Sequence, residues 1–380
     1  MVYKSFGKTG IQMSALGFGC MRLPMMNEGS KVDDDLAAPL LLRAFELGVN
    51  FFDSHWFYCN YDSQRAVGAA LRDIRDEVFI SSKIPMWLVE KPEDFTIYLE
   101  RTLEQMGLEY IDFYHFPYLS YATWTDKILP LKLIDQAEKA KAKGLMRHLS
   151  FSFHSDVDKM TELIDTGAFA SVMGQYNLLD RENEEFFGYA KSKDVATIVM
   201  VPLLGGVLAD GGMALLYRMN SEASSAAEMG LRFIWDLPAV DVVLSGMSTI
   251  AQLEENAKIA DMTRKTVSDG DERKSEREIL ISRSAELTAL NDLRCTNCNY
   301  CNECPEKIQI GQIFQLYIQH KVWGLSDTVR ARRNADKNKA FGFKEDPVNC
   351  TNCGFCNERC PQKIDVAAEL KRVWPILMEL

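Results

Sequence analysis

No stretch of the chain reaches the roughly 18 consecutive apolar residues of a membrane-spanning helix, so no membrane partner is expected. The opening Met1-Val2-Tyr3-Lys4 leads into no apolar h-region. A secretory route and a disulfide framework are therefore not expected, whereas a reducing, cytoplasmic setting is. Positive charge is in deficit: the formal net charge of −11 at pH 7 argues against nucleic acid as a partner. No low-complexity tract interrupts the chain. With 47% hydrophobic residues it has the material for an ordinary buried core.

Cysteine, by contrast, is plentiful and concentrated. Of ten cysteines, eight lie between Cys295 and Cys360. They read Cys295-x2-Cys298-x2-Cys301-x2-Cys304-Pro305 and Cys350-x2-Cys353-x2-Cys356-x3-Cys360-Pro361. Runs of this kind ending in Cys-Pro are the ligand pattern of 4Fe–4S clusters, and in two-cluster proteins the fourth cysteine of a run serves the other cluster. That rule assigns Cys295, Cys298, Cys301 and Cys360 to one cluster and Cys304, Cys350, Cys353 and Cys356 to the other. A zinc ribbon needs four ligands, not eight. The first run has x2 rather than x3 before its last cysteine, which predicts an unusual geometry at one cluster. Cys20 and Cys59 lie outside the runs and read as small buried hydrophobes.

At 380 residues the chain exceeds one small domain. The cysteine module takes residues 286–380, behind a charged linker or helix at 266–285 that contains Asp269-Gly270-Asp271-Glu272-Arg273-Lys274. Between the runs, Gly311 to Arg333 has helical periodicity, so the module is expected to be mostly helical. Residues 1–265 alternate short apolar runs with amphipathic stretches. The runs suit parallel strands buried on both faces: 15–19, 49–53, 78–82, 111–115, 147–151, 170–173, 197–201 and 240–244. Helices are expected at Leu36–Leu47, Pro92–Met106 with Pro92 at N1, and Leu131–Lys143, each ended by a glycine. Eight β/α units predict an α/β fold of the (β/α)8 TIM barrel type, followed by the small ferredoxin-type domain. Functional groups should then crowd the C-terminal strand ends, where Asp53, Lys83, His115, Ser152 and Gly246 fall. Trp56, Phe57, Trp87, Tyr118 and Trp124 are expected in loops over that mouth, as a wall for an apolar substrate.

The stretches Ser14-Ala15-Leu16-Gly17-Phe18-Gly19, Asn50-Phe51-Phe52-Asp53-Ser54, Ile80-Ser81-Ser82-Lys83, Tyr176-Asn177-Leu178-Leu179-Asp180-Arg181 and Pro202-Leu203-Leu204-Gly205-Gly206 resemble the aldo-keto reductases. Gln252-Leu253-Glu254-Glu255-Asn256 extends the likeness, and the whole chain resembles the branch of that family with a C-terminal 4Fe–4S domain. The resemblance implies carbonyl reduction by hydride from NADP or NAD in its reduced form. It makes Tyr58 the general acid, Lys83 and Asp53 its supporting pair, and a histidine the group that orients the carbonyl. A nearby ammonium favours the phenolate of a tyrosine, bringing its acidity closer to working pH. The nucleotide is expected at Ser152, Gln175, Leu203, Gly246, Ser248, Gln252 and Asn256.

Several positions depart from the pattern. The family histidine falls on Pro117, leaving His115 as a deeper substitute or a buried structural residue. The usual nicotinamide contacts fall on Phe153, Met173 and Met200, with Gln175 as a replacement amide. Gln252 stands where an arginine often grips the 2′-phosphate, which argues against strong NADP preference. Three functions fit these residues. One is a nicotinamide-dependent reductase with an added cluster domain. That reading needs a two-to-one electron converter, usually a flavin, if the clusters pass electrons. Another is a redox protein fed through its clusters by a ferredoxin or flavoprotein partner, which passes the electrons to a substrate or flavin in the barrel mouth. The third is a non-catalytic interaction subunit. A small-molecule substrate is expected of the first two.

Overall fold

A computed structural model describes residues 1–26, 31–154, 157–262, 270–301, 303–335 and 347–380. Eight parallel strands close into a barrel: β3 (Leu16–Gly19), β4 (Phe51–Asp53), β5 (Phe79–Lys83), β6 (Ile111–Phe116), β7 (Met146–Ser152), β8 (Ser171–Gln175), β9 (Ala196–Met200) and β10 (Val242–Ser245). Their order is β10-β3-β4-β5-β6-β7-β8-β9, and β10 pairs with both β3 and β9 to complete the ring. Almost every strand residue is buried, as expected of strands covered inside and out. The expected barrel is thus observed, with strand boundaries shifted by at most two residues.

Two shorter strands, β1 (Tyr3–Ser5) and β2 (Gln12–Ser14), form an antiparallel hairpin that the strand count above omits. Phe6 and Met13 from this hairpin join Phe51, Phe113, Met173, Ile198 and Val242 in one buried cluster. These residues come from the N-terminal halves of their strands or one layer above, so the hairpin plugs that end of the barrel. Gly7 makes the plug possible: it sits at φ +52°, and an added Cβ would lie 2.6 Å from the Asp194 carbonyl oxygen. With one end filled, only the C-terminal strand ends can open to a ligand.

The outer helices bury one face each. Asp94–Met106 starts two residues later than expected, because the Asp94 carboxylate accepts the Glu90 and Lys91 backbone N–H groups (2.8 and 3.0 Å) and fixes the turn there. Gly107, at φ +64°, ends it in the left-handed conformation.

The described chain divides into two compact units. The first holds Met1–Tyr176, Arg181–Pro202 and Ile234–Gly270; the second holds Asn177–Asp180, Leu203–Phe233 and Asp271–Leu380. The second unit is helical, with Gly270–Leu290, Ile310–Lys321, Ser326–Asn334, Phe355–Arg359 and Val366–Glu379 as its main elements. The single helical stretch expected over 311–333 is two helices, broken near Gly324 at φ +71°. Phe314, Leu316, Val329, Leu370 and Val373 are buried among them. Arg218 ties the Leu203–Phe233 segment to this unit, donating to the Val322 carbonyl at 2.8 Å. The start of the charged stretch at 266–269 lies outside the described residues. Among the described residues no helix is long and apolar enough to cross a membrane.

Candidate active site and cysteine centres

Asp53 ends β4 and Lys83 ends β5; the parallel register sets Asp53 against Ser81, two residues before Lys83 on the same strand. The Lys83 Nζ lies 2.5 Å from Asp53 Oδ2 and donates to the Ser54 carbonyl at 3.2 Å; Ser81 Oγ donates to Asp53 Oδ1 at 2.6 Å. Both charged side chains are almost fully buried. Burial pushes the Lys83 ammonium below its usual pKa, and Asp53 opposes that. Without its partner, either charge would carry a desolvation cost of several kcal/mol, by about the usual scale for buried ions.

Tyr58 reaches this pair from the loop after β4. Lys83 Nζ sits 5.1 Å from the centroid of its ring. The loop is tightly held. Trp56 Nε1 donates to Thr102 Oγ1 at 2.8 Å, and Ser63 Oγ donates to the Cys20 carbonyl at 2.8 Å. Cys59, Asn60 and Tyr61 take positive φ in succession, at 52°, 52° and 66°. Three such non-glycine residues store strain that the surrounding contacts must offset. Burial raises the Cys59 thiol to about 11 and holds the Cys20 thiol well above its usual range, so both stay protonated.

His115 pairs in register with Lys83 on the adjacent strand. It is completely buried, with the Phe151 backbone as its hydrogen-bonding neighbour. His55, two residues beyond Asp53, is also buried, at 1% exposure, and its ring nitrogens have no hydrogen-bond partner. Sequence reasoning passed over His55. Side-chain alternation beyond Asp53 was the available signal, since it aims residue 55 at the mouth. Burial holds both imidazoles well below their usual pKa, and the Lys83 charge adds to this. Of the five aromatics expected over the mouth, Phe57, Trp87 and Tyr118 surround His55, with ring centroids 4.2, 5.9 and 6.2 Å from its own. The other two turn elsewhere: Trp56 packs on Tyr98, and buried Trp124 packs on Phe169.

The positions expected to hold a nucleotide are more dispersed. Ser152 is in register with Met173, and Gln175 with Met200. The Gln175 amide is engaged with His154 Nδ1 at 2.7 Å, Met173 belongs to the buried barrel cluster, and Phe153 packs away on Phe186 at 4.9 Å. Beyond β10, Gly246 and Ser248 precede the helix Ile250–Met262. Gln252 folds back so that its Oε1 accepts the Ser248 backbone N–H at 2.9 Å, and Asn256 donates to Ser245 Oγ at 3.1 Å. Leu203 belongs to the second unit.

In that second unit the cysteines line two separate hollows. One is bordered by Cys295, Cys298, Cys301 and Cys360, the other by Cys304, Cys350, Cys353 and Cys356. Ile308, Ala367 and Leu370 wall the second; Phe314, Ile364 and Val366 wall the first. Asn297, Asn299 and Asn352 adopt positive φ inside the cysteine turns. Such turns gather backbone N–H groups into concavities suited to an anionic group. Burial raises the Cys295 thiol to about 12; its own neighbours include Cys298 and Cys360, with the Gln315 side chain acting in the opposite sense. Among the described residues no three His, Cys, Asp or Glu side chains converge on a single-ion site. Eight thiols in two open quartets suit a multi-iron group better than one zinc.

Residues 15–272 match the aldo/keto reductase family, a span of well over half the chain. The chain belongs to that family. Residues 292–364 match a 4Fe–4S dicluster domain. This aldo/keto reductase is 26% identical to L-galactose dehydrogenase of Arabidopsis thaliana over 283 residues, covering 67% of this chain and 86% of that one. It is 24% identical to a probable voltage-gated potassium channel subunit beta of Oryza sativa subsp. japonica, covering 69% and 92%. The solved aldo-keto reductase AKR11C1 from Bacillus halodurans, in its holo form, superposes with a TM-score of 0.62 at 22% identity, covering 74% of this chain and 96% of that one. By family, the chain is an oxidoreductase.

Proposed function

We propose that the barrel reduces the carbonyl group of a small molecule, with Tyr58 as the general acid. The observation that carries this reading is the buried Asp53–Lys83 pair, with the Lys83 ammonium 5.1 Å from the Tyr58 ring centroid. In the reaction, hydride arrives at the carbonyl carbon and Tyr58 gives its proton to the carbonyl oxygen. Lys83 stabilises the negative charge left on the phenol oxygen, and Asp53 keeps Lys83 charged despite its burial. NAD(P)H, when bound, supplies the hydride. The helix beginning at Ile250, with Ser248 before it, offers an anion-accepting end for its phosphates. The ring end is less suited, because the Gln175 amide is taken by His154, and at the phosphate end the Ser248 N–H is taken by Gln252. Weak nucleotide binding without NADP preference follows.

The same two contacts favour a second reading, in which electrons reach the barrel substrate from a ferredoxin or flavoprotein by way of the clusters. Cys295, Cys298, Cys301 and Cys360 would hold one 4Fe–4S cluster and Cys304, Cys350, Cys353 and Cys356 the other; each quartet borders its own hollow. An anaerobic titration with NADPH and then NADH separates the readings. Nicotinamide fluorescence and cluster absorbance are followed together. Saturable binding supports the first reading, and no binding of either nucleotide overturns it. Under either reading Tyr58→Phe should lower turnover about 100-fold or more while leaving substrate binding intact, on the usual scale of general acid catalysis. Unchanged turnover in that variant would favour the non-catalytic subunit.

A further inference from the structure

The helix Ile310–Lys321 carries one amide among its buried residues. Gln315 stands in the buried run Ile313-Phe314-Gln315-Leu316-Tyr317-Ile318. Its side chain is 9% exposed, and the enclosed amide nitrogen Nε2 has no ordinary hydrogen-bond partner. The Cys295 thiol is its neighbour, and the side chain acts on that thiol as a donor. Enclosed donors without acceptors are rare in native proteins. One set against a cysteine suits a sulfur that becomes a strong acceptor once it is a thiolate.

Gly311 explains how the helix comes so close. It borders the first hollow and lies one helical turn before Gln315, on the same face. A Cβ there would lie 2.5 Å from Asn299 Oδ1, inside the first cysteine turn. A second amide repeats the pattern. Gln362, just beyond Cys360-Pro361, borders the same hollow, and its Nε2 is also enclosed without a partner. The Asn297 backbone N–H adds a third donor, 3.5 Å from Cys295 Sγ. Among the described residues bordering the second hollow, none carries an enclosed, unpartnered amide. There Cys353 is exposed, whereas Cys295 is buried.

We propose that Gln315 and Gln362 are positioning residues that aim their amide N–H groups at the sulfurs of the group held by Cys295, Cys298, Cys301 and Cys360, and so hold its reduction potential up despite burial. Reduction adds one electron and no proton, so negative charge on sulfur grows. Burial disfavours that charge, whereas N–H donors directed at sulfur favour it. Solvent does for the exposed second quartet what the two amides do for the first. This deepens the cluster-fed reading above and rests on it for its role in turnover, where the ferredoxin or flavoprotein partner supplies the electron.

The test is a potentiometric titration of the cluster-loaded protein under anaerobic conditions, with dithionite as reductant and electron paramagnetic resonance as readout. Neither nucleotide nor substrate is present. Cys298→Ser identifies the step of the first quartet by changing or removing its signal. Gln315→Met and Gln362→Met keep side-chain volume without a donor. In each, the reduced-to-oxidised ratio of that step at a fixed potential should fall about tenfold, or about 59 mV for one electron. The other step should stay in place. A wild type that dithionite cannot reduce, a first-quartet step unmoved in either loaded variant, both steps displaced together, or loss of iron from both variants would each overturn the proposal. The result does not depend on how electrons reach the protein in turnover. A shifted first step, together with saturable NAD(P)H binding and unbleached clusters, would sink the cluster-fed reading and leave the role of the amides intact.

Discussion

A histidine that resists protonation in the folded state makes stability depend on acidity. His148 is the clearest instance away from the mouth. Its ring lies 5.0 Å from that of Phe113 at 22° and is brought down to about 4 by burial, with Lys141 and Arg147 adding to the effect. The unfolded chain takes up this proton near pH 6.5, the folded chain only near 4. Stability from this residue is therefore complete above about pH 6.5 and falls as the pH drops toward the folded value, by at most about 1.4 kcal/mol per pH unit and by less to the extent that solvent screens this half-buried ring. Urea midpoints for wild type and His148→Phe at pH 6.5, 5.5 and 4.5 should diverge in slope by that amount; parallel slopes would mean that the ring is protonated in place. At this scale the sequence was informative where side chains of one type carry one chemistry. Asp53 and Lys83 could be recognised at strand ends. His55 could not be singled out so readily, because its meaning depends on aromatic rings such as Trp87 and Tyr118 that other loops bring near it.

Among the elements, the helix Ser63–Ala70 is seated by a contact that no larger residue permits. A Cβ at Gly68 would lie 1.8 Å from the Met106 carbonyl oxygen, on a backbone that cannot swing aside. This helix continues directly from the loop carrying Tyr58, whose Trp56 is anchored to the same neighbouring helix through Thr102. Gly68→Ala should cost about 1–3 kcal/mol or more, the usual penalty of overpacking, and should raise the protease sensitivity of the loop after Asp53. A variant as stable as wild type would show that the helix pair can separate without loss. The eight barrel strands were legible because parallel strands buried on both faces read as unbroken apolar runs. The hairpin β1–β2 was not, since three-residue strands leave too short an alternation to register. Nor was the break near Gly324, where helical periodicity continues across the turn.

For the whole molecule, the two units rest on different physics. The barrel has a large apolar core, whereas the second unit carries two cysteine quartets, in which burial holds the Cys295, Cys301 and Cys356 thiols above their usual range. Metal binding there must displace protons from those thiols, so the energy of loading is also energy of folding. Removing iron from the anaerobic protein with a chelator should erase much of the helical signal of residues 270–380 and leave the barrel melting as a separate transition. One cooperative melt, unmoved by iron removal, would show that the helices need no cluster. The composition of the chain hinted at two parts, but nothing in local patterning tells that Leu203–Phe233 keeps company with the C-terminal helices. That grouping is built from long-range contacts such as Arg218 with Val322.

The two cysteine quartets are crossed. Cys360 of the second run borders the hollow of the first, and Cys304 of the first borders that of the second. If each hollow holds a cluster, the module is laced shut like a shoe, and neither half can be tied alone. A nascent chain would have to emerge through Cys360 before the first quartet is complete, so loading of the first quartet would wait for the second cysteine run.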